Sequence, residues 1–220
     1  KYNLPKKNLV EHGYGRLDAI IEEVQNNPRK EKTDKEPKHV LIAPSWGKKG
    51  TIESGIAETI VEQLIEQGCQ ITLRPHPQTV KYAKDKIDSI LRKYGDHTLF
   101  SYEDNVAGQN SLHKSDFMIS DWSGATLDYA FGLNRPVLFV DVSRKINNPD
   151  YEELGIEPFE VFIRKKIGII VTDNDYASKV LGTSMFLRPK FSDGYYFKNS
   201  NKRGSNALIS LLGDDGDFSL

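Results

Sequence analysis

The sequence predicts an α/β fold: a Rossmann-like parallel sheet with helices on both faces. Short apolar runs alternate with amphipathic stretches of helical period between His39 and Leu181. The runs are almost continuously apolar, which is typical of strands that are buried on both sides. The intervening stretches are long enough for right-handed crossover helices, which make successive strands parallel.

A short leading helix and a charged linker precede this alternation. Apolar residues recur at helical spacing between Arg16 and Gln25, and Asn26-Asn27-Pro28 ends the pattern. The segment 29–38 has no apolar side chain and is typical of a solvated linker. We therefore expect a leading helix and linker over residues 1–38 and a compact domain over residues 39–220.

In the first half of that domain, strands alternate with two long helices. The expected strands are His39–Ala43, Gln70–Leu73 and His97–Phe100, and the expected helices are Ile56–Gln67 and Val80–Tyr94. Both helical stretches place their apolar residues on one face. Gly68 and Gly95 come directly after them as the glycines that commonly end helices.

The second half repeats the alternation with shorter helices. The expected strands are Asp116–Ser120, Arg135–Asp141 and Gly168–Thr172, and the expected helices are Asn105–Lys114, Gly124–Phe131, Asn174–Leu181 and Asn206–Leu212. Gly132 is expected to end the second of these helices.

Composition excludes several classes of function. With 30 Lys and Arg against 31 Asp and Glu, the net charge is −1, which argues against a nucleic-acid partner. The single cysteine, Cys69, forms neither an internal disulfide nor a thiolate zinc cluster, and it fits a cytoplasmic setting. No metal-ligand spacing occurs, so neither a metal nor a cofactor is expected. Apolar runs such as Val137–Val140 are too short to span a bilayer.

Polar and titratable residues come directly after four of the predicted strands. Ligands bind outside the carboxyl ends of strands in open parallel sheets, so we expect a site at this edge. The residues that gather there are Ser45, Trp46, Lys48, Lys49, Arg74, His76, Ser120, Asp121, Ser123, Gly124 and Asp141.

The turn from Ser120 to Gly124 joins a strand to a helix. Ser123 or Asp121 is suited to cap that helix. The N–H groups of Ser123, Gly124, Ala125 and Thr126 would then face outward at the positive end of the helix dipole, which favours phosphate. A plain helix cap without a ligand explains the same residues equally well.

Other residues have a functional and a plain interpretation. Two prolines fix the backbone around His76 in Arg74-Pro75-His76-Pro77, which suits an acid–base group or a phosphate donor; the alternative is a turn that bonds a carbonyl. Lys48 and Lys49 either reach a phosphate or are solvated. Asp128 either holds a ribose or substrate hydroxyl or lies on a helix surface. A final set either binds a polyanion or packs a terminal helix: Tyr195, Tyr196, Phe197, Lys198, Asn199, Lys202 and Arg203.

Four segments in a fixed order give the sequence a family resemblance over about residues 13–142. They are Gly13-Tyr14-Gly15-Arg16-Leu17-Asp18, Leu41-Ile42-Ala43-Pro44-Ser45-Trp46, Arg74-Pro75-His76-Pro77, and Ser120-Asp121-Trp122-Ser123-Gly124 with Asp128-Tyr129-Ala130 and Arg135-Pro136-Val137. Together they resemble the CDP-glycerol glycerophosphotransferase family, which includes teichoic-acid and capsule polymerases and primases. The sequence departs from the family at Gly15, where proline is usual, and at Trp122 and Gly124, where tyrosine and serine are common.

The resemblance implies a GT-B arrangement of two Rossmann-like halves with the active site between them. This chain resembles the carboxy-terminal half, which binds the CDP-activated donor. His76 matches the family's histidine near the donor diphosphate and is the expected catalytic residue, and the turn after the fourth predicted strand lines that diphosphate. Ser45, Trp46, Lys48, Lys49, Arg74 and Asp128 are the further candidate donor contacts.

The resemblance also implies the partners. These are a CDP-polyol donor, an anionic polyol-phosphate or lipid-linked acceptor, and an amino-terminal half that contains a second histidine as base. The chain begins at Lys1, so we expect a fragment that binds donor with little turnover. Such an enzyme would be cytoplasmic and peripheral on the inner face of the cell membrane.

Two other functions remain open at this point. One is a glycosyltransferase or nucleotide-sugar epimerase of the same architecture that uses a UDP-sugar. The other is a non-catalytic module that binds an acceptor polymer. Donor selectivity distinguishes the first alternative, and failure to bind any nucleotide distinguishes the second.

Overall fold

A computed structural model describes residues 5, 12–29, 32, 36–105, 110–144, 149–155, 157–183 and 199–212. Its centre is a six-stranded sheet in the order β3-β2-β1-β4-β5-β6, and every neighbouring pair is parallel. The strands are β1 His39–Ile42, β2 Gln70–Leu73, β3 Phe100–Tyr102, β4 Phe117–Ser120, β5 Val137–Val140 and β6 Gly168–Val171. The predicted Rossmann-like sheet is confirmed.

Helices cover both faces of this sheet. They are α1 Gly15–Asn26, α2 Ile56–Glu66, α3 Pro77–Tyr82, α4 Lys84–Tyr94, α5 Asn110–Lys114, α6 Ala125–Leu127, α7 Phe159–Ile167, α8 Tyr176–Gly182 and α9 Ser200–Leu212. A π-helix, Asp128–Gly132, continues α6, and a 3₁₀-helix lies at Pro149–Leu154.

The two faces of the sheet form two hydrophobic cores. One core packs α2, α4 and α8 against the sheet, and the other packs α1, the π-helix and α7. The chain changes face in the connection from β3 to β4, so β1 and β4 lie side by side with their crossovers on opposite faces. Their carboxyl ends therefore open a crevice at the centre of the sheet.

Burial on both faces holds for β4 and β5 and, after their first residues, for β1 and β2, but it is wrong for the edge strands β3 and β6. One face of β2 and β3 is polar, with a buried Thr72 and an exposed Ser101. A hydrogen-bonded row crosses that face from His39 Nε2 to Thr72 Oγ1 at 2.8 Å, and from Thr72 Oγ1 to Ser101 Oγ at 2.9 Å. A cavity of about 580 Å³ adjoins the row. The period of two in Gln70–Leu73 was the sequence signal for this polar face.

The single helix expected at Val80–Tyr94 is wrong. The segment forms α3 and α4, which separate at Ala83, where φ is −134° and ψ is 40°. Pro77 begins α3 because His76 caps it from the preceding position. The strand expected at His97–Phe100 is also misplaced, since His97 Nδ1 accepts the Leu99 amide in a turn and β3 begins at Phe100.

Other boundaries differ from the sequence prediction. The helix expected from Gly124 to Phe131 is a single α-turn that widens into the π-helix. α9 begins at Ser200, six residues before the predicted start. α7 was missed, although Phe159, Phe162 and Ile163 have helical spacing. The helix expected at Asn105–Lys114 is described only as α5, because residues 106–109 lie outside the described part.

The leading helix packs onto the domain. Leu17 and Ile20 of α1 are buried, and a Cβ at Gly132 would overlap Ile20, so glycine permits this close approach. α9 is tied to α1 because the Ser200 amide donates to Asp18 Oδ2 at 2.7 Å. The division at residue 38 stays a prediction. Of the aromatic and basic tail, Tyr195, Tyr196, Phe197 and Lys198 lie outside the described residues.

Candidate functional site

A buried carboxylate joins the loop after β1 to the turn after β4. Asp121 accepts four hydrogen bonds: from the Ser45 amide at 2.7 Å, the Trp122 amide at 2.6 Å, the Thr51 amide at 3.2 Å and Thr51 Oγ1 at 2.8 Å. Its two oxygens are thus saturated by fixed donors. Asp121 therefore holds together the two loops that border the crevice.

The turn after β4 exposes two backbone amides. Ser120 Oγ donates to the Ala43 carbonyl at 2.8 Å and ties β4 to the end of β1. Ser123 Oγ accepts the Ala125 amide at 3.3 Å, and the Ser123 carbonyl accepts the Thr126 amide at 3.2 Å. Of the four amides that were expected to face outward, only those of Ser123 and Gly124 have no partner among the described residues. The space around Gly124 is open, since a Cβ there would meet nothing within 4 Å.

His76 lies at the carboxyl edge with a defined ring orientation. Its Nδ1 accepts the Gln78 amide at 3.1 Å, so in the neutral ring the proton is on Nε2. The ring stacks on Trp46 at 6.2 Å between centroids, and the Tyr82 ring lies 6.5 Å from that of Trp46. The sequence predicted His76 and Trp46 separately, and the structure brings them together as one half-exposed aromatic surface.

The buried Asp128 and Arg74 and the exposed Arg16 form a cluster of charges. Asp128 accepts a hydrogen bond from Arg16 Nε at 2.7 Å, and Arg74 Nη1 donates to Ser111 Oγ at 3.2 Å. Burial raises the pKa of Asp128 even though the Arg16 guanidinium opposes the shift. Burial likewise lowers the pKa of Arg74. Sequence analysis missed Arg16 as a site residue, although it lies in the first segment of the family resemblance.

The loop after β1 is braced by a residue that sequence analysis missed. Glu53 Oε1 accepts the Gly47 amide at 3.3 Å and Thr79 Oγ1 at 2.8 Å. Because Thr79 lies in the first turn of α3, Glu53 links this loop to the helix that His76 caps. Lys48 and Lys49 are exposed between these anchors.

The described residues offer neither a metal cluster nor a membrane span. No group of three or more His, Cys, Asp or Glu side chains in the described ranges is placed to hold a metal ion. Among the helices that the structure describes, none has the length and hydropathy needed to cross a bilayer.

Comparison with solved structures finds the same fold in UDP-GlcNAc 2-epimerases and in a protein solved with UDP. A co-structure of MnaA from S. aureus with UDP matches at 20% identity and a TM-score of 0.57, over 96% of this chain and 55% of that one. The UDP-GlcNAc 2-epimerase of Methanocaldococcus jannaschii, in complex with UDP-GlcNAc and UDP, matches at 15% identity and a TM-score of 0.57, over 92% and 54%.

A putative UDP-N-acetylglucosamine 2-epimerase from Listeria monocytogenes matches at 15% identity and a TM-score of 0.57, over 94% and 54%. This chain spans about half the length of these proteins. The likenesses confirm the fold prediction, a Rossmann-like half of the GT-B type.

A search of curated protein sequences finds no match to this chain. A family model does match it, over residues 1–146, and the description of that model is CDP-glycerol:poly(glycerophosphate) glycerophosphotransferase. The matched region includes the loop after β1, His76 and the turn after β4. The chain therefore belongs to the CDP-glycerol:poly(glycerophosphate) glycerophosphotransferase family.

Proposed function

We propose that this chain is the donor-binding half of an enzyme that transfers glycerol phosphate, or a related polyol phosphate. The donor is CDP-activated, and the acceptor is a teichoic-acid or capsule polymer, or a lipid-linked primer. The observation that supports this most directly is the family match, because it includes every element that borders the crevice. The crevice itself is the usual ligand site of an open parallel sheet.

In the proposed reaction, an acceptor hydroxyl attacks the β-phosphorus of the CDP-polyol. A new P–O bond forms to the acceptor, and the bond between the β-phosphorus and the bridging oxygen breaks. CMP leaves with that bonding pair. The hydroxyl proton goes to a base outside this chain, in the amino-terminal half that the family resemblance implies.

The residues of this chain then bind and stabilise the donor. The free amides of Ser123 and Gly124 are suited to donate hydrogen bonds to diphosphate oxygens. The Nε2 proton of His76 is suited to a hydrogen bond with the bridging or leaving oxygen, where charge develops. His76 keeps this direction because its other nitrogen is held by the Gln78 amide.

The charged cluster supports a place for the ribose. Asp128 is held by Arg16 in a buried position beside the turn, and a carboxylate is the usual acceptor for ribose hydroxyls in such folds. In this proposal Arg74 adds positive potential near the diphosphate. Peripheral association with the membrane belongs to the same proposal, since the acceptor would be membrane-linked.

The second candidate function is a UDP-sugar enzyme of the same architecture. Its support is the likeness to the 2-epimerases, which at 20% identity or less is a likeness of fold. Selectivity for cytidine over uridine ligands separates the two candidates.

A thermal-unfolding titration tests the first candidate. The chain is titrated with CDP-glycerol, CDP-ribitol, CMP and UDP-GlcNAc. A ligand at a hundredfold excess over its Kd adds about 2.7 kcal/mol of stability. We expect stabilisation by the cytidine ligands and a weaker effect in His76→Ala. Stabilisation by UDP-GlcNAc alone would instead support the second candidate.

His97→Ala is the matched control for His76→Ala. His97 also accepts a backbone amide through Nδ1, from Leu99 at 3.2 Å, but it is exposed in the turn before β3. Both variants lose one hydrogen bond from a backbone amide to a histidine ring, worth about 1 kcal/mol. Only His76→Ala should weaken the cytidine ligands, and equal weakening in both variants would remove His76 from the proposed site.

A further inference from the structure

A second cavity opens at the carboxyl end of β5, beside the turn after β4. Its volume is about 670 Å³, and its walls come from the β5 loop and α7. The charged and hydroxyl groups on these walls are Asp141, Ser143, Arg144, Glu157, Arg164 and Lys165. None of the donor contacts expected from the sequence lines this cavity. Of the residues that do line it, only Asp141 was expected at the carboxyl ends of the strands.

Arg164 is the buried cation of this cavity. It is only 4% exposed, and its Nη2 donates to the Val140 carbonyl at 3.1 Å. The guanidinium lies over the Trp122 ring at 3.9 Å and the Phe139 ring at 4.9 Å. Its Nε is buried and has no partner among the residues that the structure describes. A buried cationic donor without an acceptor is costly, and an anionic ligand offsets that cost.

The Trp122 ring, on which the Arg164 guanidinium packs, is fixed beside the turn after β4. Its Nε1 donates to the Val142 carbonyl at 3.1 Å, which fixes the indole between the β4 turn and the β5 loop. Trp122 and Arg164 also line a smaller pocket together with Ser123 and Gly124. Trp122 and Arg164 therefore border both the cavity and the turn that offers free amides.

The chemistry of the cavity combines cations with hydroxyl-binding groups. Arg164 and Lys165 provide positive charge, while Arg144 pairs with Glu157 at 4.0 Å. Asp141 and Ser143 are exposed hydrogen-bonding groups. The cations are suited to bind a phosphate, and the hydrogen-bonding groups are suited to bind the hydroxyls of a small polyol. The two aromatic rings that line the cavity each have a cation on one face, with the Arg164 guanidinium 3.9 Å from the Trp122 ring and Lys166 Nζ 4.2 Å from the Phe162 ring. This leaves less aromatic surface on which a nucleobase could stack.

We propose that this cavity binds the polyol phosphate unit, with Arg164 as its anion-binding side chain. The inference rests on the proposed function and extends it, because it places the transferred group on the β5 side of the turn and the nucleoside on the β1 side. The unit belongs either to the donor or to the end of the acceptor. Both sources share the same chemistry.

The two tryptophans of the chain make the test direct. Trp46 lies beside His76 and Trp122 lines the cavity, so the two indole N–H signals in a ¹⁵N spectrum report on the two sides of the turn. Trp122→Phe assigns the signals. The probes are CMP, CDP-glycerol and sn-glycerol 3-phosphate, added to the full chain.

We expect CMP to leave the Trp122 signal in place and CDP-glycerol to shift it. In Arg164→Lys, affinity for CDP-glycerol should fall about tenfold while affinity for CMP changes less than about twofold, because a bidentate cation is replaced by a point charge. Lys165→Gln on the exposed rim should fold normally and show a smaller selective loss. Lys166→Gln, the next residue along, is the control and should change neither affinity.

The source of the unit is decided by a second titration. If sn-glycerol 3-phosphate shifts Trp122 only when CDP-glycerol is absent, the cavity holds the donor's own unit. If it also shifts Trp122 in the donor-saturated chain, the cavity holds the acceptor end. Either result supports the cavity as a polyol phosphate site.

Two results would overturn this inference and leave the proposed function standing. One is that CDP-glycerol binds but neither it nor sn-glycerol 3-phosphate moves the Trp122 signal. The other is that CMP shifts Trp122 and Arg164→Lys weakens CMP and CDP-glycerol equally, which would place the nucleoside in the cavity. If no cytidine ligand binds at all, the proposed function fails, and the response of Trp122 to sn-glycerol 3-phosphate still decides whether the cavity binds polyol phosphate.

Discussion

A buried aspartate stands at each end of β4, Asp116 before it and Asp121 after it, and the two have different partners. At the amino edge, Asp116 pairs with Arg29 at 2.8 Å and Lys32 at 2.9 Å and accepts the His39 amide at 2.7 Å. At the carboxyl edge, Asp121 accepts hydrogen bonds from neutral donors in two loops. Asp116 thus binds the segment before β1 through ion pairs, whereas Asp121 fixes the loops that border the crevice.

The edges also differ in the polar groups that they leave unsatisfied. Three buried side-chain polar atoms have no partner among the described residues, and two of them, Arg164 Nε and Glu53 Oε2, lie at the carboxyl edge. The third is Tyr94 Oη at the end of α4. At the amino edge, by contrast, the half-buried Arg135 donates to the carbonyls of Leu112, His113 and Ser115. The two unsatisfied atoms at the carboxyl edge belong to charged side chains, whereas Tyr94, beside the amino end of β3, has a neutral hydroxyl.

The largest effect should come from Asp121→Ala. It leaves the Ser45, Thr51 and Trp122 donors without their acceptor in a buried setting, which should lower the free energy of unfolding by about 3 kcal/mol or more. Because the two loops lose their link, cytidine-ligand binding should also disappear. Urea unfolding and nucleotide titration measure the two effects. Full ligand affinity in this variant would show that the crevice does not depend on Asp121.

Asp116→Ala should give a smaller and more selective effect. Arg29 and Lys32 are partly exposed, so water can solvate them when the carboxylate is removed, and the loss should be about 2 kcal/mol. Ligand affinity should stay close to that of the unmodified chain, measured below the unfolding transition. A large loss of affinity here would contradict the division of roles between the edges.

The sequence predicted the sheet and its functional edge because both depend on local patterns. Apolar runs with helical stretches between them indicate parallel strands, and the residues that come after each strand then lie at one edge. The features that depend on long-range contacts were not predictable in this way. The π-helix at Asp128–Gly132 and the break at Ala83 depend on tertiary packing and capping, not on the period of apolar residues.

The site was predicted only in part, for a similar reason. His76, Trp46 and the turn at Ser123 stand next to strand ends and are visible in the sequence. Arg164 lies on α7, which sequence analysis missed, and its link to Trp122 joins residues 42 positions apart. Asp121 was expected to line the diphosphate, but its four hydrogen bonds to the protein depend on the fold of the loop after β1.

The smallest expected effect is a dependence of stability on pH at the amino edge, through His39. Burial lowers the pKa of His39 below its ordinary value of 6.5, and the charges of Lys32 and Arg29 lower it further, whereas Asp116 opposes them. The unfolded chain therefore binds more protons than the folded chain does as the pH falls below 6.5. Stability from His39 is present above pH 6.5 and is lost as the pH falls through the lowered pKa.

Free energies of unfolding at about pH 7.5 and about pH 5.5 measure this effect. His39→Gln keeps a hydrogen-bonding group near Thr72 but does not titrate, so the loss between the two pH values should become smaller. Exposed His97 gives the control, and His97→Gln should leave the loss unchanged. In Asp116→Ala the loss should grow, because the carboxylate charge that raises the pKa of His39 is gone. His39→Gln removes the titrating group, and Asp116→Ala removes the charge that raises the pKa of His39. If the loss of stability between the two pH values is unchanged in both variants, the ion pairs at the amino edge do not govern it.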